Sequence, residues 1–367
     1  MSRMTVQITL TERCNLNCVY CYEKRKSSQT MSFEIFKSIV AETFAKSTRF
    51  DAIEFDFHGG EIGIAFPELK KYCEWLWSQK WPKPYRCFAT TNGTMIHGEA
   101  QVWFRKNAQR FALGLSLDGT PQMHNINRSG SYESIDIPFF RKTWPKQGCK
   151  MTVSSLTLPS LSVGVKFLCE MGFDVSVNLA YGQNWSSDLL KVYQVQLADL
   201  VEYFYRQKNL KVPNLLSFPV ARLGHCILTG KDPEPRWCGS GRNMVCYSPS
   251  GIAYPCQMFM PSSGCGHAEA ARLARILNSV DELVDVTCKS CCLRGTCPTC
   301  YGQNYLCTGS IASRPSEMCE FRKVEALATA KLLSLKIRNS SFRQKIGDQE
   351  LQRQIAGILH ICKSIKL

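Results

Sequence analysis

An α/β fold is predicted: a partial (β/α)6 barrel of the TIM type, a small cysteine-rich domain, and a C-terminal helical tail. Three observations predict it. Over about the first 210 residues, strand-like segments of alternating polarity take turns with segments of helical apolar spacing. After Pro213 this rhythm stops, and short stretches rich in Cys, Gly and Pro run to about Cys319. From Phe321 onward apolar residues recur at helical spacing with basic residues between them. The expected boundaries are 1–215, 216–320 and 321–367.

The first strand covers Thr5 to Leu10, where Val6, Ile8 and Leu10 alternate with polar neighbours before a cysteine-containing loop. Ser32 is the expected N-cap of a helix whose Phe33, Phe36, Val40 and Phe44 keep helical spacing. Strands follow at Ala52–Phe57, Tyr85–Thr90, Phe111–Ser116, Met151–Leu156 and Asp174–Leu179, with helices near Glu68–Trp77, Glu99–Lys106 and Leu161–Cys169 between them. Such alternation implies a parallel sheet with helices outside, open or curled into a partial barrel, and places the chemistry at the C-terminal ends of the strands. In the tail, Val324 to Leu335 and Leu351 to Cys362 predict two helices.

A chain of 367 residues, 44% of them hydrophobic, is long enough to bury a full core. It has no apolar run of signal-peptide or membrane-spanning length, so a cytoplasmic protein is expected. Twenty cysteines in a reducing compartment point to metal or cluster ligation rather than disulfides, although any single buried cysteine reads as a small core residue. The formal charge of +15 favours acidic partners and makes no case for a specific nucleic acid.

Cys14, Cys18 and Cys21 form C-x3-C-x2-C directly after the first strand. Three thiolates on a four-iron cluster leave one iron without a protein ligand, open to a substrate or cofactor. The run from Cys14 to Tyr22, with aromatic Tyr20 just before the third cysteine, resembles the signature of the radical S-adenosylmethionine (SAM) superfamily. The resemblance implies that the open iron binds the amino and carboxylate groups of SAM. It also implies that an electron from the cluster breaks the sulfonium C–S bond, giving a 5′-deoxyadenosyl radical that takes a hydrogen from the substrate.

Three more blocks fall at later strand ends. Gly59, Gly60 and Glu61 resemble the family's GGE motif, Thr91, Asn92 and Gly93 its TNG motif, and Ser116 to Gly119 with His124 and Arg128 the SLDG and HDxxR blocks of the branch that modifies peptides and proteins. That branch's Asp is Asn125 here. The resemblance implies SAM contacts for Tyr20, Gly59, Gly60, Glu61, Asn92, Ser116 and Arg128, with Ser116 and Arg128 on its carboxylate, which a guanidinium fork suits. Read without it, Gly59 to Glu61 is a Gly-Gly turn capped by Glu, and Asn92 a turn residue.

The C-terminal region carries an independent resemblance. Cys238, then Gly251 and Cys256, fit the opening of the SPASM domain, which binds auxiliary clusters; Cys288, Cys291, Cys297 and Cys300 follow as C-x2-C-x5-C-x2-C, and Cys319 closes the pattern. The last spacing is usually x3. The family's connectivity implies one cluster on Cys238, Cys256 and Cys300, and a second on Cys288, Cys291, Cys297 and Cys319. The first then needs a fourth ligand: Cys226, read as lying in a loop, or else an open iron or Cys246, whose better reading is core. Cys265, Cys292 and Cys307 are expected to be structural. Paired Cys-x2-Cys units also hold zinc, and it is the N-terminal motif that tips the reading to iron–sulfur. Three [4Fe-4S] clusters would lower the net charge to about +10.

The resemblance implies hydrogen abstraction from a peptide or protein substrate, forming a thioether, a carbon–carbon crosslink or an epimerised centre. Sulfatase maturation to formylglycine is the neighbouring reading. The enzymes that do it carry an Asp just after the Gly-x4-Cys cysteine, where this chain has Gln257, and an amide cannot accept a proton as a carboxylate does. An electron-transfer module and a small-molecule dehydrogenase are further readings. Expected partners are the peptide or protein substrate, a flavodoxin- or ferredoxin-type electron donor, and a separate peptide-recognition protein, since the first strand starts too early for a preceding recognition domain. The tail, 321–367, has ten Lys or Arg against three acidic residues. It reads either as a solvated face or as a surface that captures an acidic leader.

Overall fold

The computed structural model describes residues 2–207, 210–234, 236–279 and 283–366. Strand β1 (Arg3–Thr11) is followed by α1 (Phe33–Lys46), β2 (Ala52–Gly59), α2 (Phe66–Ser78), β3 (Tyr85–Thr91), α3 (Glu99–Lys106) and β4 (Phe111–Ser116). Then come α4 (Pro121–Asn127), α5 (Ile137–Thr143), β5 (Cys149–Val153), α6 (Leu161–Glu170), β6 (Val175–Leu179), α7 (Ser187–Arg206) and α8 (Val220–Thr229). The chain continues with β7 (Met244–Tyr247), β8 (Ala253–Tyr254), α9 (His267–Ile276), α10 (Val286–Ser290), α11 (Tyr301–Thr308), α12 (Ser316–Ile337), α13 (Ser340–Ile346) and α14 (Asp348–Ser364). The chain forms two compact units, Met1–Lys150 with Gly239–Ser279, and Met151–Cys238 with Val280–Leu367.

In the first unit the strands lie in the order β5-β4-β3-β2-β1-β7-β8. All these neighbours run parallel except β7 and β8, an antiparallel pair. This is the α/β class and mostly parallel sheet that the alternation predicts. Val6, Ile8 and Leu10 are fully buried, as are Phe55 and Phe57 on β2. Phe36 and Phe44 of α1 pack on Phe57 and Phe55, so this face of the sheet is covered by helix. The other face is polar. Gln7 donates to Asp56 at 3.1 Å, and Arg3 and Arg86 both pair with Glu54, at 3.1 and 2.6 Å. A sheet packed on both faces would carry apolar residues at these positions, so this face is built for polar contents.

Ser32 caps α1 as expected, accepting from Ile35 N–H. The fifth strand ends earlier than predicted because Ser154 and Thr157 close a turn on each other: Ser154 N–H donates to Thr157 Oγ1 at 3.1 Å, and Thr157 N–H to the Ser154 carbonyl at 3.2 Å. Strand β7 went unrecognised as part of the sheet. It is four residues long and is held by parallel pairing with Thr5–Ile8, far away in sequence. Cys246 lies on it, fully buried, as the core reading expected.

In the second unit β6 follows β5, and α8 packs on α14. The sequence reading placed Cys226 in a loop; it sits on α8 and is buried. What makes this segment a helix is its partner. A Cβ at Gly224 would lie 1.7 Å from the Arg353 carbonyl oxygen, and one at Gly357 would lie 2.2 Å from that of Val220, so the glycines let the two backbones touch. The tail forms three helices rather than two, and the first begins at Ser316, early enough to carry Cys319. Among the described residues no helix is long and apolar enough to cross a membrane.

Candidate active site

The loop after β1 carries Cys14, Cys18 and Cys21, all half-buried, at the C-terminal end of the sheet. The three thiols are electrostatic neighbours. Burial raises the Cys14 thiol, with Glu61 and Cys21 adding to the rise, and it raises Cys18, where Arg128 pulls the other way and Cys21 and Cys14 add to the rise. Lys26 feels both Cys21 and Cys14.

Three other segments hold this loop. Val19 N–H donates to the Asn127 carbonyl at 3.0 Å, and Asn17 N–H to Ser129 Oγ at 3.1 Å. Ser129 has φ +54°, a left-handed conformation costly for a non-glycine residue, and it lies next to Arg128. Asn92 Nδ2 donates to Asn15 Oδ1 at 3.0 Å, while Asn15 Nδ2 donates to Thr94 Oγ1 at 2.8 Å. The TNG segment thus grips the cysteine loop directly.

Gly59 and Gly60 make a close approach to the chain's own backbone. A Cβ on Gly59 would lie 2.1 Å from the Thr11 carbonyl oxygen and one on Gly60 2.3 Å from that of Arg13. Gly60 N–H and Glu61 N–H donate to those two carbonyls at 3.0 and 2.9 Å. The Glu61 side chain is buried and accepts from Thr91 Oγ1 (2.5 Å), Asn92 N–H (2.7 Å) and Gly63 N–H (2.9 Å). Burial still raises its carboxyl above the ordinary range, with those hydrogen bonds opposing the rise. Glu61 therefore ties the end of β2 to the end of β3.

Ser116 ends β4 and is buried. Two residues on, fully buried Asp118 receives the Arg128 guanidinium through both oxygens: Nε to Oδ2 at 2.9 Å and Nη2 to Oδ1 at 3.2 Å. Tyr20 Oη donates to Oδ2 at 2.5 Å and Asn127 Nδ2 at 3.2 Å, and the guanidinium lies 5.5 Å from the centre of the Tyr20 ring. These contacts use two of the five N–H donors of Arg128 and leave it aimed by Asp118. Burial pushes the Tyr20 phenol far above its usual range, so it stays a donor.

His124 is buried beneath this group. Asp118 N–H donates to its Nδ1 at 3.3 Å, so the proton sits on Nε2, 3.1 Å from Ser131 Oγ. Burial, and then the Arg128 charge, lower its pKa to about 4 from the ordinary 6.5. The folded state thus binds fewer protons than the unfolded chain between these values, and the stability carried by neutral His124 is full above pH 6.5 and lost as pH falls towards 4. At 1.36 kcal/mol per pKa unit, the difference is about 3 kcal/mol. Urea unfolding of the wild type and His124→Gln should show the wild type losing that much more between pH 7 and 4. Parallel pH profiles would sink the assignment.

Sequence reasoning passed over a second polar group. His58 Nε2 lies 3.4 Å from Glu23 Oε1 and 3.2 Å from Tyr22 Oη. Burial opposes charge on His58, but Glu23 outweighs it and raises the imidazole pKa. The available signal was position: His58 immediately precedes Gly59, and Tyr22 and Glu23 immediately follow Cys21.

No family model matches the chain. It is 31% identical over 145 residues to a cysteine-type anaerobic sulfatase-maturating enzyme of Clostridium novyi, covering 34% of this chain and 36% of that one. It is 22% identical over 279 residues to the antilisterial bacteriocin subtilosin biosynthesis protein AlbA of Bacillus subtilis, covering 74% of this chain and 58% of that one. The chain thus spans less than two thirds of the length of these curated relatives. Its fold matches native anSMEcpe with bound AdoMet and Cp18Cys peptide, with a TM-score of 0.68, 19% identity, and 90% of this chain and 98% of that one covered. The chain is thus similar, over part of its length, to a sulfatase-maturating enzyme and to a subtilosin biosynthesis protein, and it shares the fold of anSMEcpe.

The donor set in the first unit fits a three-thiolate cluster site: three neighbouring half-buried thiols at a strand end with Lys26 and Arg128 close by. In the second unit Cys288, Cys291, Cys297 and Cys319 are likewise neighbours. Burial raises Cys288, Cys297 and Cys319, with Cys291 adding to the rise in each. Cys238, Cys300 and Cys226 lie in the same unit, while Cys256 belongs to the first. Among the described residues no three His, Cys, Asp or Glu side chains converge on a single metal ion. Ligands of a four-iron cluster each take a different iron and stand farther apart than ligands of one ion.

Proposed function

We propose that this protein binds a [4Fe-4S] cluster through Cys14, Cys18 and Cys21 and S-adenosylmethionine beside it, and uses the pair to take a hydrogen atom from a peptide or protein substrate. The carrying observation is the grouping of the three thiols with the Asp118-held Arg128 fork at the ends of β1 and β4. When bound, the cluster supplies the electron that breaks the sulfonium C–S bond of SAM, and the resulting radical abstracts the hydrogen. The chain's own part is to orient and to hold charge. Arg128, aimed by Asp118, and Ser116 receive the SAM carboxylate; Glu61, Asn92, Gly59 and Gly60 fix the cysteine loop against the neighbouring strand ends; Tyr20 keeps Asp118 in place.

Support for a peptide substrate comes from the relatives: one structure of this fold holds a Cp18Cys peptide, and another relative serves subtilosin biosynthesis. The polar sheet face, with Gln7 and Asp56, suits a polar ligand such as a peptide backbone. Formylglycine formation is disfavoured at Gln257. Its backbone N–H is given to Gln7 Oε1 at 3.3 Å, and its own amide oxygen is buried without a hydrogen-bond partner among the described residues, a group that can accept a hydrogen bond but not hold a proton at neutral pH. Cys288, Cys291, Cys297 and Cys319 hold an auxiliary cluster, and a flavodoxin- or ferredoxin-type protein supplies electrons. The test is anaerobic incubation of iron-loaded protein with SAM and dithionite: 5′-deoxyadenosine is expected, and intact SAM would overturn the proposal.

A further inference from the structure

The short segment before α12 is a strap over the C-terminal cysteines. Ser313 Oγ donates to Asp285 Oδ2, and Asp285 caps α10, the helix carrying Cys288, by accepting from Thr287 N–H at 2.7 Å. Arg314 Nη2 donates to the Cys297 carbonyl at 2.6 Å. The same side chain lines a small cavity with Cys288, and a second cavity of about 290 Å3 with Cys300.

The charges around these cysteines are unequal. Arg322 is paired with Glu325 at 2.5 Å and Lys323 with Glu320 at 2.7 Å. Arg314 is half-buried and, among the described residues, makes no ion pair; its hydrogen bond goes to a neutral carbonyl. The charge of a half-buried cation is only partly screened by solvent. The neighbours of Arg314 are Cys297, whose carbonyl it bonds, and Cys288, with which it lines the small cavity. Four thiolates around a four-iron core would supply the missing negative charge.

We infer that Arg314 is the counter-cation of the Cys288, Cys291, Cys297 and Cys319 set, and that it raises the reduction potential of the cluster held there. This rests on the auxiliary-cluster reading above. One-electron reduction adds a negative charge to the cluster, and a fixed cation stabilises the reduced form more than the oxidised one. Arg314 is a positioning and tuning residue; it takes no part in the chemistry of the substrate.

The measurement is an EPR-monitored redox titration of the full chain carrying Cys14, Cys18 and Cys21→Ala, which removes the N-terminal cluster signal. The signal in question is the one lost on adding Cys288→Ala. In Arg314→Gln its midpoint should fall by about 59 mV, a tenfold shift of a one-electron equilibrium, while Arg314→Lys, which keeps the charge, should stay near the parent. If Arg314→Gln fails to load iron, Arg314→Lys decides alone, a parent-like midpoint supporting the inference and a fall of similar size overturning it. Equal shifts in both variants would show that the arginine acts only through its bond to the Cys297 carbonyl, and no shift in Arg314→Gln would also overturn the inference. Zinc in place of iron in the parent protein would remove the auxiliary-cluster reading itself, and the inference with it.

Discussion

Replacing Cys14, Cys18 and Cys21 together by alanine is expected to lower the bound iron by about four atoms and abolish 5′-deoxyadenosine formation, while the C-terminal iron stays. The independence follows from where the ligands lie. The three cysteines sit in the first unit on a loop held by Asn92, Asn127 and Ser129, whereas Cys288, Cys291, Cys297 and Cys319 sit in the second unit under the Ser313–Arg314 strap. Iron analysis and product chromatography on the anaerobically reconstituted variant check it. Retained SAM cleavage would place the open iron elsewhere, and loss of all the iron would show that the two regions load as one.

The largest loss of stability is expected from Asp118→Asn. Asp118 is fully buried and takes hydrogen bonds from Arg128, Tyr20 and Asn127. Removing its charge leaves a buried guanidinium uncompensated, which costs about 3–5 kcal/mol, and turns one accepting oxygen into a donor facing other donors. The damage should reach the cluster loop, because Val19 hangs on the carbonyl of Asn127 and Asn17 on Ser129. Urea unfolding should show the loss of stability, and SAM affinity should fall in the same variant. A change below about 1 kcal/mol would mean that the Arg128–Asp118 pair is not what holds this corner.

The elements that could be read in advance are those whose signal is local. Ser32 three residues ahead of Ile35, the alternation of Val6, Ile8 and Leu10, and the cysteine spacings all lie within one turn of helix or one loop, so composition and period suffice. The motif glycines were legible, but the close backbone approach they make was not. The resemblance implies SAM contacts for Gly59 and Gly60, and both also lie against the backbone of Thr11 and Arg13. What the sequence did not give for Arg128 is the acid that holds it, Asp118, ten residues away, which no spacing rule ranks above any other acid.

Residue order alone therefore settled the class of fold, the cysteine loop after the first strand and the second cysteine array, since ligand spacing and hydrophobic period act over a few residues. Tertiary packing decided the rest. It set β7 beside β1, put Cys226 on a helix through the Gly224 and Gly357 contact, made Glu61 a tie between strand ends, and left Arg314, among the described residues, without an acid beside the cysteines. The physical reason is common to all four. A buried charge or a bare backbone takes the partner that folding delivers within a few ångströms, and that partner is chosen by the sheet order and the helix contacts rather than by its neighbours in the chain.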